Sequence, residues 1–116
     1  LSELQFNRCF YCQKALGKTT KTKPEVDHFV PWSRYPNDGL ANLVVAHAHC
    51  NLSKSDHIAA FDHYQHWQDR NADQSAIGLI DEMATQSQWE VRLVESLNIA
   101  HTLYRRMDDG VELWSG

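Results

Sequence analysis

EVDHFVP (residues 25–31) and NLVVAHAHCNLSK (residues 42–54) are the two stretches that decide how this chain reads. The first is a short β-favouring run, 25–30, that ends at Pro31, a residue unable to donate a ladder hydrogen bond. The second opens on a second short strand, NLVVA (42–46). Between them SRYPNDG (33–39) carries Pro36 and the turn pair Asp38-Gly39. From about Cys50 to Asp69 the pattern turns helical, with Leu52, His57/Ile58, Phe61 and Tyr64 at helical intervals, until Asn71-Ala72-Asp73 breaks the run. Upstream, QKALGKTTKTKP (13–24) is polar, with Gly17 and Pro24 as punctuation, and reads as a loop or mobile hairpin. Downstream, two further helices are expected, roughly 74–85 and 88–107. In the last, Trp89, Leu93, Leu97, Ala100, Tyr104 and Met107 form one apolar stripe suited to core packing, and Gly110 is a plausible stop.

The cysteines bracket the two strands. Cys9-x-x-Cys12 precedes the first, and His47-x-x-Cys50 closes the second, with 34 residues between Cys12 and His47. Zinc takes four tetrahedral ligands from thiolate and imidazole, and ligands two residues apart can share one tight knuckle. Two such pairs make a closed site that would pin the opening loop to the strand–helix corner. His49 is a rival to His47, which we prefer because it restores the two-residue gap to Cys50. A site closed by Cys9, Cys12, His47 and Cys50 has no vacant position, so the zinc is read as structural. The expected fold is α+β: a small core of two short antiparallel strands plus a helix, stapled by zinc and followed by C-terminal helices.

Bulk properties agree with a single modest domain. The 116 residues contain 42 % hydrophobic and 22 % charged residues, an ordinary globular balance. No apolar run approaches the ~20 residues needed to span a bilayer, so no membrane partner is expected. No secretion signal is visible, and a first residue of Leu1 points to a processed product or an excised part of something longer. Three cysteines make an odd count that favours a metal site in a reducing compartment, hence the cytoplasm. The net charge of −4 argues against a general nucleic-acid binder, but it is unevenly spread. Residues 1–54 hold seven Lys/Arg against four Asp/Glu (+3), and residues 55–116 hold four against eleven (−7). The basic half could meet phosphate while the acidic helices face solvent, other domains of a longer protein, or a partner protein.

Within this frame lie Asp27-His28-x-x-Pro31, Asn42-Leu43 and Cys50-Asn51-x-x-Lys54. Together with Cys9-x-x-Cys12 they resemble the HNH endonucleases, the ββα-metal nucleases. The resemblance runs from residue 9 to about 57, with His47 standing where a third zinc cysteine is usual. It implies a nuclease core, taken as 1–69; the helical pattern beyond it reads as an extension over 70–116 packed on the same domain. It also implies hydrolysis of phosphodiester bonds in DNA, with RNA as an open alternative. The residue types suit that chemistry. A near-neutral histidine, His28, can take a proton from water, and Asp27 and Asn51 offer hard oxygens to one Mg²⁺ or Mn²⁺. By resemblance, the Asn42 side chain bonds backbone in the His28 loop and fixes the imidazole. Lys54, one helical turn after Asn51, could contact a phosphate oxygen. The third metal ligand stays open: some relatives carry a histidine where this chain has Ser55, and water or DNA oxygens would complete the shell. His63, His66 and His101 read as helix-surface or partly buried residues. Two rival readings are a zinc module that binds nucleic acid without cutting it, which has no use for Asp27, His28 and Asn51 together, and a protein-interaction domain built on the acidic helices.

Overall fold

The sheet forms where the two runs predict it. In the computed structural model, which describes Leu1, residues 5–106 and residues 113–116, β1 (Pro24–His28) pairs antiparallel with β2 (Leu43–His47). Pro24 sits opposite His47, Asp27 opposite Val44 and His28 opposite Leu43. The first strand is shorter than the expected 25–30. After His28 the chain leaves the ladder, and Phe29 and Val30 turn into the core. Their backbone is met by Asn42: Phe29 N–H donates to the Asn42 carbonyl (2.7 Å), and Val30 N–H donates to Asn42 Oδ1 (2.8 Å). All five residues of β2 are buried, because Gln5 and Phe10 close its free edge. Val45 N–H donates to Gln5 Oε1, and the Val45 carbonyl accepts from Gln5 Nε2 and from Phe10 N–H.

The helical run expected over 50–69 is two helices. Helix α1 (Ala48–Lys54) stops at Ser55, which adopts φ 50°. Residues Ile58–Ala60 are extended instead and bond Trp114, and α2 begins at Phe61 and continues to Ala72. The apparent periodicity misled because Leu52 and Phe61 are exposed surface residues, not members of one buried stripe. Helix α3 (Gln74–Ser87) starts as expected, its first amides capped by Asp73. Helix α4 (Leu93–Arg106) begins five residues later than the expected 88. Residues 88–92 instead run beside the turn before β2, where Leu40 and Ala41 N–H donate to the Glu90 and Val91 carbonyls. Trp89 therefore lies outside the stripe and is half exposed, whereas Ala100 and Tyr104 are buried and Leu97 packs against the core. Met107 and Gly110 lie outside the described residues.

Aromatic packing joins the helices to the sheet. Phe29 stacks on Trp67 of α2 (4.8 Å), and Tyr64 of α2 stacks on Tyr104 of α4 (3.9 Å). At the end of α2, buried Arg70 donates to the Leu43 and Ala41 carbonyls, so α2 grips the entry to β2. The class is α+β, as expected. No helix among the described residues is long and apolar enough to cross a membrane.

Candidate active site and zinc cluster

The two knuckles meet. The ligand atoms of Cys9, Cys12, His47 and Cys50 lie within 4.8 Å of one another. His47 Nδ1 is 3.2 Å from Cys12 Sγ and 3.9 Å from Cys50 Sγ. Tetrahedral zinc with Zn–S near 2.3 Å would set neighbouring sulfurs ~3.8 Å apart, so the cluster is consistent with structural zinc. His47 Nε2 lies 2.8 Å from the Ala15 carbonyl. A carbonyl only accepts, so the hydrogen sits on Nε2 and the Nδ1 lone pair faces the sulfurs, as metal-binding histidines require. His49 stacks beside His47 at the surface, outside the group of four. Burial, with the Cys9 and Cys12 thiols close by, pushes the Cys50 thiol up to about 12. A dication is the group that would hold such crowded sulfurs as thiolates.

The strand–helix corner beside the cluster collects the other candidates. β1 alternates, so Glu25 and Asp27 share a face, and both meet α1. Asp27 Oδ2 accepts from Tyr11 Oη (2.5 Å) and pairs with Lys54 Nζ (3.2 Å). Glu25 Oε1 accepts from Asn51 Nδ2 (3.1 Å), one helical turn before Lys54. Among the described residues nothing engages Asp27 Oδ1 or Asn51 Oδ1.

Lys54 is fully buried, and its ammonium also donates to the His28 carbonyl (3.2 Å). It faces Asp27 rather than a position open to phosphate. Burial lowers its pKa, while the Asp27 charge pulls the other way. Tyr11 is raised well above its ordinary value, by burial first and then by Asp27, so it stays a phenol donor. Truncating Lys54→Ala leaves Asp27 buried with one neutral partner. We expect a loss on the order of 3 kcal/mol in urea unfolding, and an unchanged midpoint would mean that the pair contributes nothing.

His28 closes β1 with a half-buried ring. Its Nε2 meets Asp38 Oδ1 at 2.5 Å, and Trp32 packs edgewise against it (5.6 Å). Asn42 is buried and bonds the loop that follows His28: Nδ2 donates to the Val30 and Asn37 carbonyls. The sequence-model comparison matches residues 9–60 to the HNH endonuclease. The matched segment runs from the first zinc-cluster cysteine to the residue before α2. No curated protein matches the chain.

Within the HNH segment, sequence reasoning missed Tyr11, Glu25 and Asp38. Glu25 carried a usable signal, since two carboxylates at i and i+2 on a strand must share a face. Tyr11 was hidden as a spacer inside Cys9-x-x-Cys12. Asp38 read as a turn residue, and nothing local says that the turn folds back on His28.

Proposed function

We propose that this chain is a metal-dependent endonuclease that hydrolyses phosphodiester bonds in DNA. The reading is supported by the strand–helix corner where Asp27 of β1 meets Lys54 of α1 and Glu25 meets Asn51, with His28 next along β1, all inside the segment matched to the HNH family. Hydrolysis needs a water relieved of a proton, charge balanced at phosphorus, and a 3′ oxygen able to leave. His28 is the general base that takes the water proton. The water oxygen bonds phosphorus as the bond to the 3′ oxygen breaks, and that oxygen leaves as a hydroxyl after taking a proton from solvent.

Asp27 and Asn51 each keep one oxygen free of other bonds, and hard oxygens suit Mg²⁺ or Mn²⁺ better than zinc. Bound there, the ion would supply charge neutralisation at the phosphate and the leaving oxygen. Tyr11 and Lys54 fix Asp27 through its other oxygen, and Glu25 fixes the Asn51 amide. Lys54 is therefore assigned to holding Asp27 in place of the phosphate contact expected from sequence. Asn42 holds the loop after His28. Cys9, Cys12, His47 and Cys50 hold a structural zinc. In this reading residues 1–69 are the nuclease core and 70–116 a helical extension of the same domain. An odd count of three cysteines, all in the metal cluster, favours a reducing compartment, the cytoplasm.

The metal assignment is tested by titrating Mg²⁺ against cleavage in Asp27→Ala and Asn51→Ala. Both should need more Mg²⁺ for half-maximal rate, with excess Mn²⁺ partly rescuing the milder one. An unchanged requirement in both removes them from the site.

A further inference from the structure

The His28 ring is held by a carboxylate from a distant turn, and that turn is built with unusual care. Asp38 Oδ1 lies 2.5 Å from His28 Nε2. On one side of Asp38, Asn37 is buried: its Nδ2 donates to Ser96 Oγ of α4 (2.8 Å), and its Oδ1 accepts from Gly39 N–H (3.0 Å). The Asn37 carbonyl accepts from Asn42 Nδ2, and the Asp38 carbonyl accepts from Trp89 Nε1. On the other side, Gly39 has no room for a side chain, because a Cβ would fall 2.5 Å from Arg92 Cβ and 2.6 Å from the Val91 carbonyl. Leu40 and Ala41 then bond the Glu90 and Val91 carbonyls. The backbone carrying Asp38 is thus fixed by Asn42 and by residues 89–96.

A carboxylate oxygen accepts and cannot donate, so the hydrogen between the two groups belongs to His28 Nε2. A neutral imidazole has one N–H, so the lone pair is then on Nδ1. We propose that Asp38 is a positioning residue that fixes the orientation and tautomer of His28, making Nδ1 the atom that takes the water proton. The inference rests on His28 being the general base. Once Nδ1 is protonated the ring carries a positive charge, and Asp38 lies against the opposite nitrogen to balance it. It also gives the C-terminal helices a place in the chemistry. Ser96, Trp89, Glu90, Val91 and Arg92 lie outside the matched segment, yet they set the position of Asp38.

The test compares the wild type with Asp38→Ala, Asp38→Asn and His28→Ala by ¹⁵N NMR of the ring, steady-state cleavage and melting. The spectra are taken where His28 is neutral. The wild type should show His28 protonated on Nε2. Asp38→Ala should show mixed tautomers and a kcat lowered roughly ten- to a hundredfold, short of full general-base loss, with KM for DNA and Tm little changed. Asp38→Asn carries no charge and can turn its amide N–H to the ring, so it should restore neither the wild-type tautomer nor the wild-type kcat. A wild-type ring protonated on Nδ1 overturns the proposal. So does an Asp38→Ala protein with unaltered tautomer and kcat, or an Asp38→Asn protein with both the tautomer and the kcat of the wild type. If instead His28→Ala itself cuts normally, it is the general-base reading that fails, and the NMR result still stands as a separate measurement.

Discussion

Replacing His28 with alanine should lower DNA cleavage by ~10²–10⁴-fold or more while the protein melts like the wild type. The size of the loss follows from the role, since no other described imidazole is placed at the end of β1. The intact fold follows from the contacts. Among the described residues, the ring bonds Asp38 and packs against Trp32, both exposed. The bond that ties this position to the interior runs from Lys54 to the His28 backbone carbonyl, which alanine retains. Surface changes of this kind usually stay within about 0.5 kcal/mol. Plasmid cleavage and a melting curve on the same preparation give both numbers. A folded His28→Ala protein that cuts at full rate removes His28 from the mechanism.

Cys12→Ser should show the opposite order, with stability lost first and activity as a consequence. Purified wild type should carry about one tightly held zinc per chain, and binding free energies on the order of 10 kcal/mol are at stake in structural zinc sites. The opening segment is better anchored than its sequence suggests. Phe10 and Tyr11 are buried in the core, and Phe10 bonds the edge of β2. The knuckle therefore keeps some hold without zinc. Its loosening still reaches the chemistry, because Tyr11 sits between the two cysteines and donates to Asp27. Elemental analysis and melting curves should show a Cys12→Ser protein with little zinc and a clearly lowered Tm. Retained zinc with an unchanged Tm would remove Cys12 from the ligands. Zinc lost in His49→Ala and kept in His47→Ala would change only the fourth ligand.

Much of this was legible because local chemistry carried it. The β-favouring runs around Asp27 and Val44 mark the two strands, and the paired two-residue spacings bring Cys9, Cys12, His47 and Cys50 together. The break at Asn71-Ala72-Asp73 marks the boundary before α3, whose first amides Asp73 caps within its own turn. What was not legible depends on distant contacts. Ser55 ends α1 with a positive φ that no residue nearby demands, so the spacing of Leu52 and Phe61 read as one helix. Lys54 reads as a phosphate contact until Asp27 is seen opposite it. Trp89 falls on the apolar spacing of α4, but the Glu90 and Val91 carbonyls beside it accept from Leu40 and Ala41, fifty residues away in the chain, and Gln88 and Arg92 take positive φ. Asp38 belongs to the same class: its partner His28 is near in space only because that segment holds the turn.

The most direct test of nuclease activity is the conversion of supercoiled plasmid to nicked or linear DNA by zinc-loaded wild-type protein, with and without added Mg²⁺ or Mn²⁺. Withholding the ion is the proper control, since a chelator would also strip the zinc. Cleavage that needs the added ion, with the zinc content unchanged throughout, is the predicted result. A folded, zinc-loaded protein that binds plasmid and leaves it uncut with either ion would contradict the account and favour a zinc module that binds nucleic acid without cutting it.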